Sequence, residues 1–329
     1  MSDLRPVSRS QWPRLATGIS WAHASWNPWT GCAKVSEGCR HCYAETFAKN
    51  RQGRDIWGPN KPRPRTRDWS KIRKLRWMAR DPEARQFLGL EPGERLRVFV
   101  ASMADWAEGR EDQRPIVADM WDVIREAYEL DFLMLSKRLQ NVPGLLPPDW
   151  AEGWPHVWMG ASIESGLDTH IDAHLGEPVI ARARELLKVP AVCHWVSYEP
   201  ALGPLASELE PFLRGHHGWR CQVCLRGTWE PDFLGLANPS SPAVCPSCPE
   251  RVELGAGFAR GVSWVVYGGE TGPGRRADED QWAWDMLGLC DGVNLSGWYK
   301  QKSAARPGKV PAHFEGFQRL PYLDREVWS

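Results

Sequence analysis

Leu96-Arg97-Val98-Phe99-Val100-Ala101-Ser102 is an apolar run of strand length without clean polar alternation, and it leads into a polar turn, Ser102-Met103-Ala104-Asp105. Downstream, Pro115–Tyr128 would place Ile116, Met120, Val123, Ile124 and Tyr128 on one helix face, and Phe132–Leu135 is a second strand-like run. Two strands with no polar face, joined through a helix, point to a parallel sheet covered on both sides. The pattern recurs along the chain. Strands are also expected near Ile19–Ala24, Val157–Ser162, Val192–Tyr198, Ser263–Tyr267 and Trp298–Gln301, with helices at Cys39–Asn50, Pro178–Leu187 and Asp280–Leu289. Such alternation predicts an α/β protein built as a partial (β/α)6-type, TIM-like barrel; a doubly wound open sheet is the alternative.

Polar residues follow strand after strand. They are Ser102 and Asp105; Ser136, Lys137 and Arg138; Glu164; Ser197 and Glu199; Gly268, Gly269 and Glu270; and Lys300 beside Gln301 and Lys302. Parallel α/β folds form their sites at the carboxyl ends of strands, so these groups are expected around one cavity. Ordinary helix caps and turns are the plainer account. Arg138 offers a bidentate fork for a carboxylate or phosphate. Glu164, Glu199 and Lys300 are the candidate catalytic groups, because carboxylates and an amine can position hydroxyls or carry protons. Gly268 and Gly269 would allow close backbone approach to a ligand.

The same rim receives three thiols, Cys32, Cys39 and Cys42, in a C-x6-C-x2-C spacing. Three are one short of a closed zinc tetrahedron but are the right number for three irons of a [4Fe–4S] cluster, the fourth being left open. Zinc held with His41, His23 or a remote ligand is the competing reading. His41 lies between Cys39 and Cys42, where its ring would tend to point away from a shared ion.

A second set, Cys221, Cys224, Cys245 and Cys248, has the C-x2-C…C-x2-C form of a four-cysteine zinc ribbon. It breaks the strand–helix alternation. Residues 215–256 therefore read as a small inserted ribbon between barrel portions 1–214 and 257–329, with bound zinc supplying the stability that so short a segment lacks. Cys193 and Cys290 read as packing residues.

Composition narrows the remainder. Forty-one basic and forty-one acidic side chains cancel, so no global field recruits nucleic acid or an anionic membrane. No apolar run reaches membrane-span length and the amino terminus lacks a signal-peptide pattern, so a cytoplasmic protein is expected. In that compartment nine cysteines point to metal ligands or free thiols. Most of the twenty tryptophans are expected in the core.

The segment Gly38-Cys39-Arg40-His41-Cys42-Tyr43-Ala44-Glu45 resembles the end of the radical S-adenosylmethionine signature, although the first interval here is six residues rather than three. Ser25–Cys32, Val98–Asp105, Leu135–Arg138, Val196–Pro204 and Gly268–Arg275 resemble, in order, the motifs of a phage-associated three-cysteine family within that superfamily. The resemblance implies a [4Fe–4S] cluster on Cys32, Cys39 and Cys42, S-adenosylmethionine on the open iron, and a 5′-deoxyadenosyl radical. It also implies a flavodoxin or ferredoxin electron donor. The substrate would be a small molecule or nucleotide, with phage association pointing to a DNA base and to the host cytoplasm. Glu270, or alternatively Ser102 and Asp105, would meet the methionine amino group, although Gly-Gly-Glu here follows a late strand rather than the second. Ser136, Lys137, Arg138, Ser197, Gly268 and Gly269 complete the implied cofactor contacts. A zinc-stabilised nucleic-acid-binding or adaptor protein without radical chemistry is the reading from another class.

Overall fold

A computed structural model of the chain describes residues 4–213, 243–244, 251–252, 261–306 and 310–321. Seven strands form one sheet: β1 (Ala24–Trp26), β2 (Arg97–Val100), β3 (Asp131–Ser136), β4 (Val157–Ser162), β5 (His194–Tyr198), β6 (Val262–Gly268) and β7 (Ser296–Gln301). Every neighbouring pair is parallel and the order follows the chain. A doubly wound sheet would reverse its order at a switch point. This one never reverses, which removes the open-sheet alternative and leaves a curled half-barrel.

Strand parity divides the residues between the two faces of the curled sheet. Val98, Val100, Phe132, Met134, Val157, Met159, Val196, Tyr198, Val265 and Tyr267 face outward into the large core. There they meet helices such as α3 (Arg114–Glu126) and α5 (Asp280–Gly292). The intervening Phe99, Leu133, Trp158, Trp195, Trp264 and Val266 face inward and pack on Trp21. The Trp21 ring lies 5.2 Å from Trp195 and 6.2 Å from Trp264, so the start of the chain reaches across the concave face to β5 and β6. Each buried aromatic contributes about 2–3 kcal/mol by leaving water. A Cβ on Gly160 would enter the Trp195 indole, so this floor requires glycine there.

Val157–Ser162 forms where expected, and the later strands differ from expectation only at their ends. The first strand is displaced. Ile19–Ala22 instead forms a turn, closed by Ala22 N–H on Ile19 O at 3.1 Å, because Trp21 is drawn into the interior floor. The first expected helix also begins later, as α1 (Tyr43–Gln52), since Glu37–Cys39 forms a 3-10 turn and Cys42 caps the helix. Helix α2 (Lys71–Met78) was not anticipated. On α3 the buried face is Val117, Met120, Trp121 and Ile124; Tyr128 is exposed. Cys193 and Cys290 are buried, as expected of packing residues.

The ribbon cysteines, Cys221, Cys224, Cys245 and Cys248, lie outside the described residues. Within 215–256 a short antiparallel ladder pairs Ala243–Val244 with Arg251–Val252. Strands on both sides of that segment belong to the same sheet. Among the described residues, no helix is long and apolar enough to cross a membrane.

Candidate functional site

The thiols sit on the segment that leaves β1 at its carboxyl end. Gly31 has φ +105° and a Cβ there would lie 2.6 Å from Ile56 O, so only glycine turns the chain into Cys32. Upstream, Asn27 Oδ1 accepts from Met103 N–H at 2.7 Å and Asn27 Nδ2 donates to Ser102 Oγ at 3.1 Å, stapling the turn after β2 to the start of the loop. Tyr43 Oη donates to Ser102 O at 2.6 Å from the other end. Ser102 thus bridges both limbs of the cysteine segment.

Three strand ends grip the loop between Cys32 and Cys39. From β3, Arg138 Nη2 donates to Ala33 O at 2.7 Å, and Arg138 Nη1 lies 3.6 Å from Cys32 Sγ and 2.8 Å from Asp105 Oδ2. Asp105 is buried and also accepts from Ser136 Oγ at 2.6 Å. Beyond β4, Glu164 is fully buried; it accepts from Ser36 Oγ, from Gly38 N–H at 3.2 Å and from Arg182 Nη1 at 2.8 Å, with Lys137 Nζ at 3.4 Å. Burial alone would raise its pKa. The Lys137 and Arg182 charges and the Ser36 and Gly38 hydrogen bonds outweigh that and hold it down at about 2. Arg182 is itself oriented by Asp172 Oδ2 at 2.6 Å.

The third grip comes from beyond β6. Arg276 Nη2 donates to Glu270 Oε1 at 2.7 Å, while Arg276 Nη1 donates to Glu37 Oε1 at 2.7 Å and to Glu37 O at 3.2 Å. Burial works to raise the Glu270 pKa, but the Arg276 hydrogen bonds and charge bring it below the usual carboxylate value. Gly268 and Gly269 serve close packing here. A Cβ on Gly268 would strike the Glu199 carboxylate, and one on Gly269 would strike Ser303 N and Asp278.

An arc of polar groups crosses the strand ends above the tryptophan floor. Lys137 Nζ donates to Ser162 Oγ, Ser162 Oγ to Glu199 O at 3.1 Å, and Ser197 Oγ to Glu199 Oε2 at 3.2 Å. Glu199 Oε1 then accepts from Lys300 Nζ at 2.6 Å across the bare Gly268. Lys137, Glu199 and Lys300 keep partial side-chain exposure. This arc offers an amine and a carboxylate side by side, suited to a ligand presenting both an acceptor and a donor.

The thiols of Cys32, Cys39 and Cys42 are free and half-buried. Burial pushes Cys32 up to about 12 against the nearby Arg138 charge, and burial also raises Cys42 despite the backbone N–H groups of Glu45 and Ala44. Among the described residues, no three His, Cys, Asp or Glu side chains gather as a holding group for one metal ion. A [4Fe–4S] cluster makes a different demand, since each thiolate takes its own iron and the sulfurs need not converge on one point. Two zinc alternatives meet positive obstacles. His23 precedes β1 and pairs with Arg97 N–H at 2.9 Å at the opposite end of the strand, and the His41 ring lies beside Gly274.

The site thus gathers the expected rim residues near the thiol segment or the arc beside it, except Lys302, whose exposed amine pairs with Asp280 Oδ1 at 2.7 Å. Sequence reasoning missed Ser36, Glu37, Asp172, Arg182 and Arg276. Arg182 lies in a helix, α4 (Ala181–Leu187), whose Ala-Arg-Ala-Arg start looks solvent-facing; its contacts with Glu164, Asp172 and Ser162 O explain its full burial.

Residues 16–318 match the model of a family described as a protein of unknown function (DUF5131), and the chain belongs to that family. Neither the curated proteins nor the solved structures contain a match.

Proposed function

We propose that this family member is a radical S-adenosylmethionine enzyme with a TIM-like partial barrel, whose Cys32, Cys39 and Cys42 hold three irons of a [4Fe–4S] cluster. The observation that carries the reading is the cysteine loop itself: three free thiols at the carboxyl end of β1, gripped through Arg138, Glu164 and Arg276. Such investment in an open-loop geometry suits a site that binds something beyond a structural ion. When bound, the cluster and S-adenosylmethionine would supply a 5′-deoxyadenosyl radical for hydrogen abstraction.

The chain's own residues would orient and shield. Glu164 acts as a positioning residue, since its four partners leave it no role at the substrate. Glu199 and Lys300, half-open on the arc, are the groups that would contact substrate. The tryptophan floor excludes water from below. Ser102, Asp105 and Glu270 are already partnered by Asn27, Arg138 and Arg276, so they would meet a methionine amino group only through remaining acceptor capacity. The reading extends to a small-molecule or nucleotide-like substrate, with a phage DNA base as the specific case. It further includes a flavodoxin or ferredoxin donor and zinc on Cys221, Cys224, Cys245 and Cys248.

Anaerobic reconstitution tests it. The expected product is a brown protein with iron and sulfide that forms 5′-deoxyadenosine on reduction, while Cys42→Ala loses both iron and turnover. A colourless protein that binds zinc alone, with Cys42→Ala indistinguishable from the parent, would favour the zinc-stabilised adaptor instead.

A further inference from the structure

Arg138 and Asp105 form a buried ion pair aimed edge-on at one thiol. Their side chains are 1% and 8% exposed. Arg138 Nη1 lies 2.8 Å from Asp105 Oδ2 and 3.6 Å from Cys32 Sγ, so the same guanidinium nitrogen serves the carboxylate and the sulfur. The rest of the pair is fixed. Arg138 Nη2 is tied to Ala33 O, and Asp105 Oδ1 is held by Ser136 Oγ at 2.6 Å and Ala107 N–H at 3.1 Å. Neither group can swing away, and neither is screened by water.

A sulfur bound to iron retains lone pairs that accept hydrogen bonds. Hydrogen bonds to cluster sulfurs and nearby buried charge are among the main levers on a cluster's reduction potential. Reduction adds one negative charge. A fixed cation beside the sulfur favours that added charge and a fixed anion opposes it, both strongly where little water intervenes. We infer that Arg138 and Asp105 set the reduction potential of a cluster held by Cys32, the arginine raising it and the aspartate restraining it. This inference rests on the cluster reading above and goes past it, because a loop brace alone would give the two charges no opposing electrical effects.

The test is a redox titration of the anaerobically reconstituted full-length protein, followed by the signal of the reduced cluster in electron paramagnetic resonance. Arg138→Gln is expected to shift the midpoint to a more negative value, since it removes the cation and leaves Asp105 charged. Asp105→Asn is expected to shift it to a more positive value. The double variant should return towards the parent. Midpoints unmoved in both single variants, or moved in the same direction, would overturn the inference while leaving the cluster reading intact. If one variant fails to take up iron, the sign of the other's shift decides. Failure of both to load while folded counts against the inference, because the pair would then be holding the loop rather than setting its potential. A parent protein that takes up no iron overturns the cluster reading and this inference together.

Discussion

Gly38 stands immediately before Cys39, and a Cβ there would lie 2.6 Å from Glu164 Oε1. Glu164 cannot yield, because it is fully buried among Ser36, Lys137 and Arg182. Gly38→Ala is therefore expected to destabilise the protein by about 2 kcal/mol, as overpacking at a fixed neighbour does. Gly144→Ala, where a Cβ meets nothing within 4 Å, should cost far less in the same chemical-denaturation series. Equal midpoints for the two variants would remove Glu164 as the anchor of the loop. The converse change, Glu164→Ala, leaves Arg182 and Lys137 without their carboxylate and should cost about 3–5 kcal/mol, read by the same method. Sequence made Glu164 and its partner Lys137 visible as polar residues after strands but gave its other partners, Ser36 and Arg182, no signal. A buried arginine on a helix and a serine inside a loop look like surface residues until tertiary contact joins them.

At the scale of elements, Arg276 ties the segment after β6 to the cysteine loop through Glu37, more than two hundred residues earlier in the chain. The Arg276–Glu37 contact is partly exposed and the Arg276–Glu270 side is mostly buried. A pair of this kind is worth about 1 kcal/mol. Arg276→Ala is thus expected to speed amide hydrogen exchange in residues 33–41 about fivefold, without any metal present. The exposed Arg275 provides the control, Arg275→Ala, which should leave those amides unchanged. Unaltered exchange in Arg276→Ala would show that the β6 segment merely lies beside the loop. Strands were legible for a related reason. Both faces of the sheet's interior strands are apolar, so β2 to β6 stand out as continuous hydrophobic runs, whereas the edge strand β7 alternates buried with half-buried residues. The first strand was misplaced because Trp21, which reads as a strand residue, spends its burial in the barrel floor instead. Helix α2, with Lys71-Ile-Arg-Lys-Leu-Arg-Trp-Met78, was hidden by its charge and is recognisable only through the apolar contacts of Ile72, Leu75 and Met78.

Over the whole molecule, the sheet curls without β1 and β7 pairing, and side chains bridge the seam instead. Trp298 Nε1 donates to Ser20 Oγ at 3.1 Å, and a cavity of about 570 Å³ between the edges is lined by Ile19, His23, Phe87, Arg97, Trp298 and Leu320. His23 binds this end of the sheet to β2: its ring Nδ1 accepts from Arg97 N–H at 2.9 Å, and its backbone N–H donates to Arg97 O at 3.0 Å. Burial, together with the Arg97 and Arg85 charges and against the pull of Glu94, lowers its pKa to about 4. The folded protein therefore keeps His23 neutral where the unfolded chain protonates it, between pH 6.5 and about 4. In that window the unfolded state binds more protons, so stability falls as the pH is lowered, by up to about 3 kcal/mol. The buried His156, also lowered, acts in the same sense, whereas Glu164 loses its contribution only as the pH falls from about 4.5 towards 2. Acid unfolding is thus expected in two stages: the histidine window first, then the carboxylate one. Urea titrations followed by tryptophan fluorescence at pH 7, 5, 4 and 3.5 should show His23→Gln losing less stability than the parent between pH 7 and 5. Between pH 4 and 3.5 the two should fall in parallel, since Glu164 is intact in both. If the parent and His23→Gln lose stability equally above pH 5, the neutral histidine does not hold the start of β1 to β2, and the lining of this cavity rests on its apolar contacts instead.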